Sequence, residues 1–168
     1  MAFQSTVNFF QGAGVPGQIY LDDPHRAESF ILESALASYN IVGATAYTVV
    51  SEGIAQAGGT GHFAGILVDP QQYALFGVNN QPLQPTLVLP NEIQADLLTM
   101  GTIFVTLPAA AAIGDVVIYD NTTGALSTIT PGTPVPVGKT YANAFVSYFT
   151  VTAAGLAVIT VNPTLINV

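Results

Sequence analysis

From Ile41 onward, glycine and proline cut the chain into short runs rich in Val, Ile, Thr and Tyr, and that punctuation leaves little room for helices. Such residues suit a pleated, half-buried surface, and turn residues between runs this short set the rhythm of an all-β barrel or sandwich. The first run, residues 41–50, holds Thr45, Tyr47, Thr48, Val49 and Val50, with Gly43 as a candidate bulge. A turn at Gly58-Gly59-Thr60-Gly61 leads into residues 62–68, and Asp69-Pro70 stops that run because proline cannot donate to a ladder. Residues 86–89 lie between Pro85 and Pro90, and residues 102–107 follow Gly101. The clearest hairpin pairs residues 116–119 with 125–129 around Asp120-Asn121-Thr122-Thr123-Gly124, where Asn comes early and Gly late, as such a loop needs. A proline-bearing linker, 130–138, precedes two last strands, 144–151 and 156–161, joined by Ala153-Ala154-Gly155. The expected fold is all-β: a small antiparallel β-barrel or sandwich forming a single domain over residues 27–168.

Residues 1–26 read as an extended N-terminal arm. Phe3, Phe9, Phe10 and Tyr20 flank the stretch Gly12-Ala13-Gly14-Val15-Pro16-Gly17. Aromatic side chains on a segment so densely punctuated suit docking onto another surface; an edge strand of the main domain is the other reading. Phe3, Phe9, Phe10, Tyr20 and Arg26 are therefore the expected interface residues. Residues 28–38 stay open between a helix with Phe30, Ile31, Leu32, Ala35 and Leu36 on one stripe and a buried apolar strand.

Charge narrows the function. A chain of 168 residues can bury a core of its own, yet only 7% of its residues are charged and 50% are hydrophobic, against about 25% charged in an ordinary soluble domain. Such a surface is either dressed in uncharged polar residues or covered by partner subunits. The net charge of −8, with Arg26 and Lys139 as the only Lys or Arg, speaks against nucleic acid and against anionic membranes. The most apolar window, 103–119, is broken by Pro108, Gly114 and Asp115 and is too interrupted to span a bilayer. The absence of cysteine removes disulfides, thiolate nucleophiles and zinc ribbons. No basic region precedes an apolar run at the N-terminus, so a soluble chain without a secretory signal is expected.

No motif carries catalysis. Gly12, Gly14 and Gly17 match a dinucleotide fingerprint by spacing, but Pro16 among them and Ile19-Tyr20-Leu21-Asp22-Asp23-Pro24 after them do not open the helix that would face a pyrophosphate. His25 and His62, with Asp22, Asp23 and Asp69, are the conceivable metal donors, but their spacing forms no ligand pair. No serine sits in a GxSxG elbow, and Asp115 with Asp120 would be a carboxylate pair in a chain without the tryptophan that lines glycosidase clefts. Asn121-Thr122-Thr123 is a formal glycosylation sequon that reads more simply as turn chemistry. The expectation is a non-enzymatic protein with no catalytic residue, no cofactor, no metal and no small-molecule substrate.

Several stretches together resemble the structural cement (head-decoration) proteins of tailed bacteriophages. They are Ser51-Glu52-Gly53-Ile54-Ala55-Gln56-Ala57-Gly58-Gly59-Thr60-Gly61, Phe63-Ala64-Gly65-Ile66-Leu67-Val68-Asp69-Pro70, Pro85-Thr86-Leu87-Val88-Leu89-Pro90, Leu107-Pro108-Ala109-Ala110-Ala111-Ala112-Ile113-Gly114-Asp115 and Ala153-Ala154-Gly155-Leu156-Ala157-Val158-Ile159. The resemblance implies a small β domain on the outside of the head, bridging major capsid protein subunits; copies of itself, as a dimer or trimer, are a further candidate partner, with a monomer left open. It implies a protein made in the host cytoplasm and carried on the virion exterior. Ala44 and Gln71 stand where family members often carry cations, so contacts made by such cations are not carried over. The charge agrees independently, because packaged DNA repels a chain at −8 from the shell interior. The alternatives are a host- or glycan-binding decoration module, for which Tyr39, Tyr47, Tyr73 and Tyr119 would supply a platform, and a tail-tube or baseplate β protein.

Overall fold

The computed structural model describes residues 14–20, 23–70 and 87–162. Nine strands make up its framework: β1 (Arg26–Leu32), β2 (Ala46–Ser51), β3 (Ile54–Ala57), β4 (Phe63–Leu67), β5 (Gln94–Leu107), β6 (Val116–Asp120), β7 (Leu126–Ile129), β8 (Lys139–Ser147) and β9 (Gly155–Val161). The helical element among the described residues is one 3₁₀ turn, Ala37–Tyr39. The all-β expectation holds.

The 14-residue β5 belongs to two sheets at once. Its first half pairs with β1 and with β4, and the order β1-β3-β2-β4-β5 closes back on β1 as a five-stranded barrel. One seam departs from the antiparallel expectation: β1 and β3 run parallel through Ile31 opposite Ile54 and Leu32 opposite Ala55. The second half of β5 pairs with β9 and opens a sheet of order β5-β9-β8-β6-β7. The halves meet at Gly101, whose φ of 121° takes the strand around the corner; a Cβ there would sit 2.7 Å from that of His25.

Strand alternation sorts side chains into two cores. On β2, β4 and β5, Tyr47, Leu67 and Leu97 face the barrel interior, while their neighbours Ala46, Ile66 and Leu98 face the core of the second sheet. These strands are therefore buried on both faces, which is why Phe63-Ala64-Gly65-Ile66-Leu67 reads as an unbroken apolar run. Farther along β5, Ile103, Val105 and Leu107 enter the second core with Val117, Tyr119, Val146 and Ile159.

Several boundaries differ from the sequence reading. Residues 28–38 are neither of the two uniform alternatives: β1 ends at Leu32 and a turn leads to the 3₁₀ segment. Gly43 is no bulge but part of the turn before β2, with φ of 64°. The first half of β5 and all of β3 carry few β-branched residues, so propensity alone misses them. Strand β8 starts at Lys139, passes the left-handed Asn143 (φ of 48°) and stops at Ser147, before Tyr148 at φ of 66°.

The hairpin loop after β6 is built as expected. The Asp120 carboxylate oxygen Oδ1 accepts the backbone N–H groups of Thr122 (2.8 Å) and Thr123 (3.0 Å) and the Thr123 hydroxyl (3.2 Å). The Thr123 and Thr122 N–H groups hold this carboxyl below its ordinary range. A depressed folded value means that the contribution is complete above the unfolded aspartate range, near about 3.9, and is lost as pH falls through the folded value. Asp120→Ala is expected to lower stability by about 1 kcal/mol at neutral pH, and its gap to the parent protein should narrow as melts are taken below the unfolded aspartate range. A gap that stays constant into acid would remove the carboxylate from the account.

Candidate interaction surface

Residues 14–20 lie along the outer edge of β5. Gly17 N–H donates to Phe104 O (2.7 Å), Phe104 N–H to Gln18 O (2.9 Å) and Tyr20 N–H to Thr102 O (2.8 Å), with Ile19 opposite Ile103. This strap continues the line that β1 follows along the first half of β5. Side chains pin it as well. Phe104 points away from the core and is covered by Tyr20, whose ring lies 6.3 Å from it and 5.3 Å from that of Tyr148. The Asp23 carboxylate oxygen Oδ2 accepts the hydroxyls of Thr102 (2.7 Å) and Tyr148 (2.9 Å). Thr102 touches Thr160 at 3.1 Å, and Thr160 donates to Ser147 at 2.9 Å, so hydroxyls link β5, β9 and β8 beneath the strap.

Of the expected interface residues, Tyr20 thus rests half-buried on its own domain. Arg26 opens β1, largely exposed, and forms an ion pair with Glu28. Both border β5, one on each half. Phe3, Phe9 and Phe10 lie outside the described residues.

A feature the sequence reading passed over is the end of the second sheet beyond Leu107. Two connections meet there, residues 108–115 between β5 and β6 and residues 148–154 between β8 and β9. Ala111 and Val151 exchange both backbone bonds at 2.8 Å, Gly114 N–H donates to Val146 O (2.9 Å), and Val146 N–H donates to Asp115 O (2.8 Å). The loops are therefore zipped into one edge. They expose Ile113 (59%), Tyr148 (55%) and Phe149 (43%). Their single charge, Asp115, is half-buried and accepts the Ala112 N–H at 2.8 Å. The available signal was Pro108-Ala109-Ala110-Ala111-Ala112-Ile113, an apolar stretch where a connection is ordinarily polar. The proline-bearing connection 130–138, with Val137 fully exposed, lies at the other end beside the Asp120 loop, where Asn121 N–H meets Gly138 O at 2.9 Å.

The residues considered for chemistry are scattered. The His25 ring meets the Asp23 carbonyl at 3.2 Å. His62 borders a small cavity of about 190 Å³ with Arg26, Glu28, Asn143 and Asn162. A second hollow of about 260 Å³ lies between Asp23, Met100 and Thr160. Both fall below the roughly 300–1,000 Å³ of ordinary ligand pockets. Among the described residues no three of His, Asp and Glu gather closely enough to hold a metal ion. Burial raises the Asp69 carboxyl above its usual value. Asp115 and Asp120 sit at opposite ends of β6, each engaged in its own loop. Gly14 and Gly17 belong to the strap and not to a helix start; Gly12 lies outside the described residues. Tyr47 and Tyr119 are fully buried, Tyr39 packs against the barrel core, and Tyr73 lies outside the described residues.

What remains is a surface poor in charge, with an apolar edge at one end. Residues 3–162 match the family model described as structural cement protein (E217 gp24/Pam3 gp6). The chain belongs to this family. No curated protein matches it. Membership makes the chain a bacteriophage structural protein of the virion capsid.

Proposed function

We propose that this cement protein binds the outer surface of a tailed-phage head and bridges neighbouring major capsid subunits. The observation that carries the reading is the family match over nearly the whole chain, joined to a net charge of −8 that DNA repels from the shell interior. In this reading the protein is made in the host cytoplasm, acts without catalysis or cofactor, and binds neither nucleic acid nor membrane. The mechanism is linkage. A protein that binds the assembled shell and not its separated subunits stabilises the shell at every occupied site, by about 2.7 kcal/mol when free protein stands at 100 times its Kd. Heads stripped of the protein should burst at lower temperature and milder osmotic shock than complete heads, and added protein should restore them. Equal failure of stripped and complete heads would dismiss the cement reading.

The proposed division of labour is an arm over residues 1–26 and a β domain over 27–168. Residues 14–20 anchor the arm to β5, and Phe3, Phe9 and Phe10 supply the grip. Burying three aromatic side chains at roughly 150 Å² each and about 25 cal/mol per Å² gives a gross gain of roughly 10 kcal/mol. Fixing about five residues around the three rings, at about 1–2 kcal/mol per residue, offsets most of it. Deleting residues 2–13 should leave cooperative melting intact and weaken binding to undecorated heads about tenfold, which is about 1.4 kcal/mol. Undiminished binding by the truncated chain would take the grip away from the arm.

A further inference from the structure

We infer that the protein stands on the shell with the Leu107 end of its second sheet down, the zipped loops 108–115 and 148–154 resting on an uncharged, apolar face of the major capsid protein, and its acidic barrel pointing outward. The inference rests on the proposed head-binding function and adds to it an orientation and a contact surface.

Charge segregation is the first support. Glu28, Glu33, Glu52, Glu92 and Asp96 all lie on or beside barrel strands, with Arg26 as the cation among them. The zipped loops hold Asp115 alone, already half-buried and engaged with the Ala112 amide, and the neighbouring Asp23 carboxylate is taken up by the Thr102 and Tyr148 hydroxyls. Interface centres are depleted in charge and enriched in aromatic residues, and the loops meet that description while the barrel does not. Outward-pointing acids would also keep decorated heads apart by mutual repulsion.

The second support is where the arm leaves. Gly14 packs on the Phe104 ring, close enough that a Cβ would lie 2.7 Å from it. Phe104 meets Tyr20 at a tilt, Tyr20 meets Tyr148 likewise, and Tyr148 is followed by Phe149. Residues 1–13, with Phe3, Phe9 and Phe10, therefore join the domain at Gly14, two rings (Phe104 and Tyr20) from the exposed Tyr148, so that arm and loops can engage a single partner. Rigidity is the third. Tyr148 is held at a left-handed φ of 66°, and the Ala111–Val151 bridge fixes the neighbouring loop, so the edge is organised before it binds.

Four full-length variants test the assignment in sedimentation with undecorated heads, after melting shows each to be folded. Ile113→Asp and Phe149→Asp should each weaken binding at least tenfold, whereas Leu36→Asp and Val50→Asp, at exposed apolar positions of the barrel half (54% each), should bind like the parent. A photo-crosslinking residue at position 113 should capture the major capsid protein, and one at position 50 should not; this arm stands even if an aspartate variant fails to fold. Parent protein that does not bind heads at all would overturn the head-binding function itself. Parent binding that survives at 113 and 149 but is lost at 36 or 50, or capture from position 50 alone, would overturn the orientation. Aspartates at 113 and 149 that lower the molar mass in solution without weakening head binding would give this end to a second copy of the chain and overturn the contact with the shell.

Discussion

Asn40→Ala will lower the stability of the fold by about 4 kcal/mol, the largest effect expected of any single polar residue in the barrel. Asn40 is completely buried. Its Oδ1 accepts the Tyr47 hydroxyl (2.9 Å) and the Ser34 hydroxyl (2.6 Å), and its Nδ2 donates to Leu89 O (3.1 Å) and Asn91 Oδ1 (2.9 Å). Ser34 Oγ in turn accepts the Ala57 N–H at 2.9 Å, and Asn91 Nδ2 donates to Ser34 O at 2.8 Å. One amide thus ties β2, β3, the turn after β1 and the approach to β5, plugging the end of the barrel with polar groups that water does not reach. Alanine leaves the Tyr47 hydroxyl and the Leu89 carbonyl short of a partner at about 1–3 kcal/mol each, and it opens a small void. Burial already pushes the Tyr47 hydroxyl well above its ordinary range, so ionisation offers no relief. At roughly 2–4 °C per kcal/mol the melting temperature should drop by roughly 10 °C. Tyr47→Phe removes one hydroxyl and leaves the amide its other partners, so it should lose only about 1–2 kcal/mol. Similar losses from the two substitutions would show that the amide is not the hub.

Gly43→Ala is the second large effect, about 3 kcal/mol, and it acts on the strap. Gly43 has φ of 64°, and a Cβ there would stand 2.2 Å from Gly17 N and 2.5 Å from Pro16 C. Those are backbone atoms, which cannot swing aside as the tip of a side chain can. Nor can Gly43 retreat, because its N–H donates to Leu67 O (3.1 Å) and its carbonyl accepts Thr106 N–H (2.8 Å). The strap must yield, and a left-handed alanine adds strain of its own. Hydrogen exchange should quicken at Gly17, Tyr20 and Phe104 while the barrel amides stay protected. With its anchor loosened, the arm should bind heads more weakly as well. Wild-type protection across residues 17–20 in this variant would mean that the strap is not wedged against Gly43.

The sequence by itself determined that this chain is a β protein, and its summed pattern already resembled a phage structural family. Gly and Pro set strand lengths, the Asp120–Gly124 loop encoded its hairpin in the one carboxylate that an Asx turn requires, and two cations among 168 residues limited the partners. These are local or summed properties, legible because each acts over a few neighbouring residues or over the composition. Tertiary structure decided the rest. Whether residues 28–38 pair as strand depended on β5, some seventy residues away, which offers its edge as far as Arg26 opposite Met100. The double membership of β5 depended on a corner at Gly101 that no periodicity marks. The hub at Asn40 and the glycine contact between residues 17 and 43 join positions that gain meaning only once the barrel closes. The apolar edge at residues 108–115 was readable as apolar but not as exposed, because exposure is set by which loops the register of β5, β8 and β9 leaves at the end of a sheet.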